Sequence, residues 1–450
     1  MRYLPHTDDE IRVMLDRIGV TSIDELFTAI PESYRLDRKL ALEPSLDEAS
    51  LIAHLSSLAD RNDAAKALSF LGAGLYDHHI PPAVDQLLLR SEFYTAYTPY
   101  QAEVAQGTLQ ATFEFQTLVA ELFGLDVANA SMYDAASAAA EAVLMSRRVT
   151  KRRHAVISRA LHPEYIETTR TYLASIDEDG PQLDIAPMTE SGVTDLEALE
   201  ALIRDDTAAV VVGYPNFLGS VEDLARIAEI AHAKGALLVT ATSEPYALSV
   251  LEAPGKLGAD IAIGEGQPLA ISMQLGGPGV GLFASKQKLV RQLPGRLVGQ
   301  TVDADGDRGF VLTLNTREQH IRRERATSNI CTNHGLIALA FAIRTSMLGR
   351  QGFSQVGRLC LSRAEYLKNR IDELDDFEVV RGAPTFNEFV VRRRTGKAAP
   401  LLAAVAAKGV LAGVDLGRFF EERDHEFVLA VTERHDRAAL DRLVEVLEQA

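Results

Sequence analysis

The sequence predicts an α/β fold: a large domain built on a mainly parallel sheet, a small C-terminal α+β domain, and an N-terminal helical arm. Three patterns carry this. From about residue 105, apolar segments of helical period alternate with short runs rich in Val, Ile and Ala. Strand, helix, strand repeated in this way builds a parallel sheet covered on both faces. A long helical stretch, roughly 334–374, then separates this region from a smaller set of strands and helices, while residues 1–65 read as capped helical segments. At 450 residues the chain exceeds one ordinary core, and the expected units are 1–65, 66–330 and 331–450.

Each element has its local signal. Thr7 followed by Asp8, Asp9 and Glu10 marks a helix start, and Ile11, Met14, Leu15 and Ile18 recur at helical spacing before Gly19 ends it. A second capped helix is expected from Ser22, with Ile23, Leu26 and Phe27 on its apolar side. A third covers 42–62 and is expected to lie over a neighbouring surface. Leu71-Gly72-Ala73-Gly74, with Pro81-Pro82 soon after, closes the arm. The large domain should hold helices at 106–123, 136–147, 163–174 and 221–234. Its strands are expected at 154–158, 208–213 and 236–240, with short ones at 261–264 and 279–284. Beyond the long helix, strands are expected near 377–380, 388–392 and 426–432, and helices at 398–408 and 437–449.

Composition excludes several classes of function. Hydrophobic residues make up 47% and charged residues 24%, the balance of a soluble globular protein. The longest apolar runs, such as 208–212, fall far short of the ~20 residues that cross a bilayer. The N-terminus lacks an apolar signal core, and two cysteines rule out a disulfide framework; both suit a reducing cytoplasm. A formal net charge of −17 repels nucleic-acid phosphates and anionic membranes, so neither is an expected partner. The one basic run, 147–153, is expected to sit at the C-terminal end of a helix, against the negative end of its dipole.

Four segments carry candidate chemistry. Tyr94, Tyr97 and Tyr100 are spaced by three around Pro99, which favours an extended or turning loop, with Gln101 and Glu103 following. Such rings and hydroxyls suit a small zwitterion, or equally simple packing against the sheet. Asn129-Ala130-Ser131-Met132-Tyr133-Asp134 leads into an alanine-rich helix, whose first N–H groups either bind phosphate or are capped by Ser and Asp. Gly264-Glu265-Gly266-Gln267 and Gly276-Gly277-Pro278-Gly279 are glycine clusters flanking one segment, as a buried site, an interface or a pair of turns requires. They lack the GxGxxG spacing of a dinucleotide fingerprint. Finally, Arg322-Arg323-Glu324-Arg325 precedes Thr327-Ser328-Asn329-Ile330-Cys331-Thr332. The cysteines lack zinc-ligand spacing and no metal is expected; Cys331 reads as a packed thiol rather than a nucleophile.

Taken together, these segments resemble the glycine cleavage system P-protein family, and more narrowly its subunit 1, found where the enzyme is split into two chains. The resemblance rests on Tyr97-Thr98-Pro99-Tyr100-Gln101 with Glu103, on Ala128-Asn129-Ala130-Ser131 with Tyr133-Asp134, and on Gly264-Glu265-Gly266-Gln267. Thr327-Ser328-Asn329-Ile330-Cys331-Thr332 and Phe70-Leu71-Gly72-Ala73-Gly74 with Tyr76-Asp77-His78 complete it, in order along essentially the whole chain. It implies the pyridoxal-phosphate aspartate-aminotransferase fold, with decarboxylation of glycine and transfer of the aminomethyl group to the lipoyl arm of the H-protein. That chemistry needs a lysine to hold the cofactor and an acid beside the pyridine nitrogen.

By the family pattern the lysine position is Gln267, and the expected aspartate is missing from Thr240-Ala241-Thr242. Ala135 and Ser137 replace a usual glycine and threonine, and Ala102 a usual proline. The resemblance therefore implies a subunit inactive alone. Its lysine-bearing sister chain, in an α2β2 assembly, is expected to carry pyridoxal phosphate, with none held covalently here. The residues expected at the active site or interface are Tyr97, Tyr100, Gln101, Glu103, Tyr133, Asp134, Gly264, Glu265, Gly266, Gln267, Asn329, Cys331 and Thr332. The rival readings are a cofactor-free scaffold and an autonomous pyridoxal-phosphate enzyme.

Overall fold

The computed structural model describes residues 5–36, 38–178, 180–274 and 276–450. The first four residues of the N-terminal stretch, and Leu275 beside the second glycine cluster, lie outside the described residues. The chain forms two compact units, Met1–Asp63 and Ala64–Ala450.

In the first unit, the helix Asp8–Ile18 begins with the reciprocal cap read from the sequence. Thr7 Oγ1 accepts from Glu10 N at 3.3 Å, and Glu10 Oε2 accepts from Thr7 N at 2.7 Å. Gly19 ends it in the left-handed region at φ 89°, where a side chain would be strained. The helix expected from Ser22 is only a 3-10 turn, Ile23–Phe27; the Ser22 side chain caps nothing and the turn buries no residue. The third segment is helical over Glu48–Ala59, shorter than expected, and starts at its Asp47 cap. None of the described residues of this unit is buried, and Val13, Ile18, Phe27, Ile52 and Leu55 are exposed.

The second unit is built on a seven-stranded sheet: β1 (Val127–Ala128), β2 (His154–Ser158), β3 (Leu183–Ala186), β4 (Thr207–Gly213), β5 (Leu237–Thr242), β6 (Ile261–Glu265) and β7 (Gly281–Ser285). Their order is β1-β7-β6-β5-β4-β2-β3. β3, β2, β4, β5 and β6 run parallel, and β7 and β1 pair antiparallel. Alternate residues face opposite layers. Ala155, Ile157, Val211, Val239 and Ala241 pack with the helices Ala135–Thr150 and Pro163–Ala174. Val156, Val210, Val212 and Leu238 pack with the helix Leu224–Ala233 instead. Both faces are covered, so the strands read as nearly continuous apolar runs.

The long helix spans Gly335–Asp372, with a break at Gly349. It leads to a four-stranded antiparallel sheet, ordered Phe377–Val379, Glu388–Arg393, Glu426–Ala430, Val414–Asp415. The hairpin Leu297–Val302 with Arg308–Thr313 was not expected, nor was β3.

A buried ionic strap joins the start of this unit to both sheets. His78, fully buried, lies 2.8 Å from Glu244 Oε2 just beyond β5 and 2.6 Å from Glu433 Oε2 just beyond the last small-sheet strand. Glu388 accepts from Ala73 N at 2.6 Å and Tyr76 Oη at 2.7 Å. A side chain at Gly72 would overlap the Glu388 carboxylate and Ala430. Cys360 completes the group, 3.7 Å from Glu433, so His78, Cys360 and Glu433 bring ligand-type atoms within 4.8 Å of one another. Both imidazole nitrogens face carboxylates, which makes this a closed ion-pair network.

Burial alone pushes the His78 imidazole down; Glu244 and Glu433 outweigh it and raise it to about 9. A pKa raised on folding adds stability that is full below the ordinary value of 6.5 and is lost as pH rises through about 9. Replacing His78 with Gln is expected to destabilise the chain by about 3 kcal/mol at pH 6.5, because two buried carboxylates lose their cation. The deficit should shrink towards pH 9 in urea titrations; a constant deficit would place His78 outside the ionic strap.

Candidate active site

The parallel strands β2, β4, β5 and β6 end on one edge of the sheet, where ligands bind in folds of this kind. Two groups of residues occupy it.

The first surrounds the end of β6. Glu265 is buried, and its carboxylate accepts from Ala135 N at 3.2 Å, Gln267 N at 3.0 Å and Val280 N at 2.9 Å. Burial holds its pKa up at about 7, against the pull of these three donors. Asp134 caps the helix Ala135–Thr150, its Oδ1 accepting from Ser137 N at 2.7 Å. The polar lead-in to this helix therefore acts as a cap. Tyr133 packs on His334 with ring centroids 5.6 Å apart. Gln267 is buried in the turn after Gly264, Glu265 and Gly266, and its Nε2 donates to Ile271 O.

The second group is centred on Arg296, at the start of the unexpected hairpin. Its buried guanidinium donates from Nε to Glu318 Oε2 at 3.2 Å and from Nη2 to Tyr100 Oη at 2.9 Å. It also lies over the Tyr100 ring, 5.1 Å from the centroid, and 3.8 Å from Cys331 Sγ. Thr332 Oγ1 is 3.2 Å from Tyr97 Oη and 3.3 Å from Thr98 Oγ1. Tyr97, Thr98, Arg296, Thr332 and Asn333 line one pocket of about 160 Å³. Asn333 bridges to the other group, donating to Ser131 Oγ at 2.7 Å and Ala130 O at 2.9 Å.

Tyr97, Tyr100, Cys331 and Thr332 thus come together, as do Tyr133, Asp134 and the Gly264–Gln267 turn. Gln101, Glu103 and Asn329 are exposed, and their side chains join none of these hydrogen bonds, although Gln101 shares a surface pocket with Tyr97 and Tyr100. Arg296 and Glu318 were missed. The basic residues singled out in the sequence, Arg322, Arg323 and Arg325, are exposed, whereas the buried arginine opens an apolar strand. An arginine after Pro294-Gly295 and just before Leu297-Val298 was the available signal.

The sheet and its order define a fold class, that of the fold type I pyridoxal-phosphate enzymes. The chain superposes on glutamate decarboxylase from Lactobacillus brevis with a TM-score of 0.69 at 13% identity, covering 94% of this chain and 96% of that one. At such identity the likeness is one of fold.

Within that class, the chain belongs to the glycine cleavage system P-protein family, whose model matches residues 1–447. A probable glycine dehydrogenase (decarboxylating) subunit 1 from Sorangium cellulosum is 58% identical over 446 residues, covering 99% of this chain and 98% of the relative. One of the same description from Anaeromyxobacter dehalogenans is 51% identical over 438 residues, 97% of each. The crystal structure of an inhibitor-bound glycine decarboxylase P-protein matches with a TM-score of 0.89 at 43% identity over 100% of both chains.

Pyridoxal phosphate draws on a lysine amine, an acid facing the ring nitrogen, and donors for its phosphate. The residues at this edge do not fit that set. Gln267 offers an amide, already engaged with Ile271 O. At the end of β5, Thr242 donates to Tyr214 O, and Thr240 is a buried hydroxyl. Lys286 is paired with Asp260 at the opposite end of β6, and Lys256 with Glu252. The first N–H of the nearby helix already serves Glu265.

Arg296→Met leaves Glu318 buried without its cation, and a loss of about 3 kcal/mol in urea titration is expected. The double variant Arg296→Met/Glu318→Leu should recover much of it. Additive losses in the double variant would show that the two side chains are not coupled.

Proposed function

We propose that this chain is the first of two subunits of glycine dehydrogenase (aminomethyl-transferring, decarboxylating), and that it completes an active site whose cofactor the sister subunit holds. The assembled enzyme removes the carboxylate of glycine as CO2 and passes the aminomethyl group to the lipoyl arm of the H-protein. The observation that carries this reading is Gln267, an amide where the chemistry calls for an amine, in a chain that keeps the tyrosine loop of the family. Pyridoxal phosphate supplies the electron sink for decarboxylation; in this reading it sits on the sister chain, and no step runs through the residues of this one.

Arg296, itself held by Glu318, holds Thr98 and Tyr100, and Thr332 meets Tyr97, so that these hydroxyls at the pocket mouth orient a small zwitterion or border the lipoyl channel. Burying that edge against the sister chain excludes water from it. The exposed apolar residues of the arm support an obligate partner, because a unit without a core of its own cannot offset the entropy of ordering. Obligate interfaces commonly exceed ~2,000 Å² and are apolar. The assembly is an α2β2 heterotetramer in the cytoplasm; among the described residues no helix is long and apolar enough to cross a membrane.

The purified chain, incubated with pyridoxal phosphate and reduced with borohydride, is expected to keep its unmodified mass, while adding the sister chain restores glycine–CO2 exchange. A stoichiometric adduct on one lysine of this chain would overturn the reading. In the assembled enzyme, Tyr97→Phe is expected to lower kcat/KM by on the order of tenfold, equivalent to about 1.4 kcal/mol. The same turnover in Tyr97→Phe and wild type removes that hydroxyl from the site. Glu103→Gln is the companion test, and full activity there would remove Glu103 as well.

A further inference from the structure

Glu265 is a buried titratable group to which the proposed function gives no task. Its carboxylate gathers N–H groups from three separate segments: Ala135 at the first residue of a 16-residue helix, Gln267 in the turn after β6, and Val280 just before β7. Gly279, from the second glycine cluster, lies against it, since a Cβ there would stand 3.0 and 3.1 Å from its two oxygens. Gln267 is buried beside it, 4% exposed, with its Oε1 lacking a partner among the described residues. One glycine of each cluster thus leaves room around this enclosed carboxylate, Gly279 against its oxygens and Gly266 against Val280, which donates to it. Three of the first four N–H groups of the helix Ala135–Thr150 are satisfied from within, Ala135 N by the Glu265 carboxylate, Ser137 N by the Asp134 side chain and Ala138 N by Asp134 O. A helix start with buried, free N–H groups is a ready-made anion site.

We propose that Glu265 is a built-in anion, whose carboxylate fills the position that this helix start would otherwise offer to a phosphate-bearing ligand, and so closes this chain's own sheet edge to phosphorylated cofactors. The same three donors that would cradle a phosphate oxygen are spent on a group the chain cannot release. Gln267 adds bulk in place of a reactive amine. The effect belongs to this chain alone, with or without the sister subunit. A lysine adduct away from this sheet edge in the borohydride experiment would sink the subunit reading without deciding this one, whereas an adduct at the edge would sink both.

The full chain serves for the test, with inorganic phosphate and formate as probes and thermal unfolding as the readout. Wild type is expected to respond to neither anion beyond chloride at matched ionic strength. Glu265→Ala should unfold at a lower temperature and regain more than half of the loss in phosphate or formate, because an anion that binds only the folded state stabilises it. Glu265→Gln, which fills the space without the charge, should not respond. A folded Glu265→Ala that ignores both anions, or a wild type that responds as strongly, overturns the proposal. Should Glu265→Ala fail to fold, amide exchange in Glu265→Gln decides. Peptides spanning 133–138 and 278–281 should exchange about tenfold faster than in wild type, which corresponds to ~1.4 kcal/mol, and unchanged exchange overturns the proposal.

Discussion

The arrangement of the larger unit depends on one buried imidazole. His78 stands between Glu244 and Glu433, which follow the last residues of β5 and of the small sheet respectively. Removing three charged groups from water is expensive, and only close pairing with satisfied lone pairs offsets it. Here the pairing is close: His79 N also donates to Glu433 Oε1 at 2.7 Å, and Asn387 Nδ2 to Glu244 Oε2 at 3.2 Å. Because each carboxylate belongs to a different layer, a shift of either layer would strip a buried charge of its partner. The strap therefore fixes the small sheet relative to the edge where β5 ends, the same edge that carries Thr242, Glu265 and Gln267.

A second rule runs through that edge. Its buried carboxylates are matched in two different ways, with different consequences. Glu318 faces a guanidinium, so the pair is neutral as a unit and can anchor a loop: Tyr100 and Thr98 attach to the arginine rather than to the backbone. Glu265 faces only N–H dipoles, so its charge is solvated but not cancelled, and burial keeps its pKa near 7. The first arrangement positions residues for a ligand or partner. The second uses up the donors a ligand would need.

Much of the fold was legible in the sequence because its signals are local. The reciprocal Thr7 and Glu10 cap, the helical spacing of the long helix and the buried strands are all local signals. Other elements were not legible, two of them for plain physical reasons. Leu297–Val302 mixes Gly, Gln and Thr into its length, and its burial fades from one end to the other, so no clean alternation survives. Ser22 looks like a cap, but a cap contributes only about 1 kcal/mol, too little to extend a helix that buries no face. The candidate site was legible by resemblance and much less by chemistry. Arg296 and Glu318 are 22 residues apart, and neither residue type marks itself as buried. The spacing of Tyr97, Tyr100 and Glu103 suggested one group, yet the chain turns between Tyr100 and Ala102 and leaves Glu103 facing solvent.

That a chain without the cofactor's lysine or its acid keeps so complete an edge follows from packing. An emptied ligand site inside a parallel sheet is a void lined by orphan N–H groups, and each unpaired donor costs about 1–3 kcal/mol. Apolar filling would remove the void and leave the donors unpaired. Water would pair them at the cost of a wetter core. A carboxylate from the neighbouring strand pairs three donors at once, and the burial it suffers in doing so is what raises its own pKa to about 7. Glutamate also has the reach, since it starts from the end of β6 and meets the helix start across the β6–β7 turn. The glycines on either side then become obligatory, because a Cβ on Gly279 would press on the carboxylate and one on Gly266 on Val280. Gly266 and Gly279, which look like parts of a ligand loop, are in these terms the small residues that let one acid lie down in a closed site.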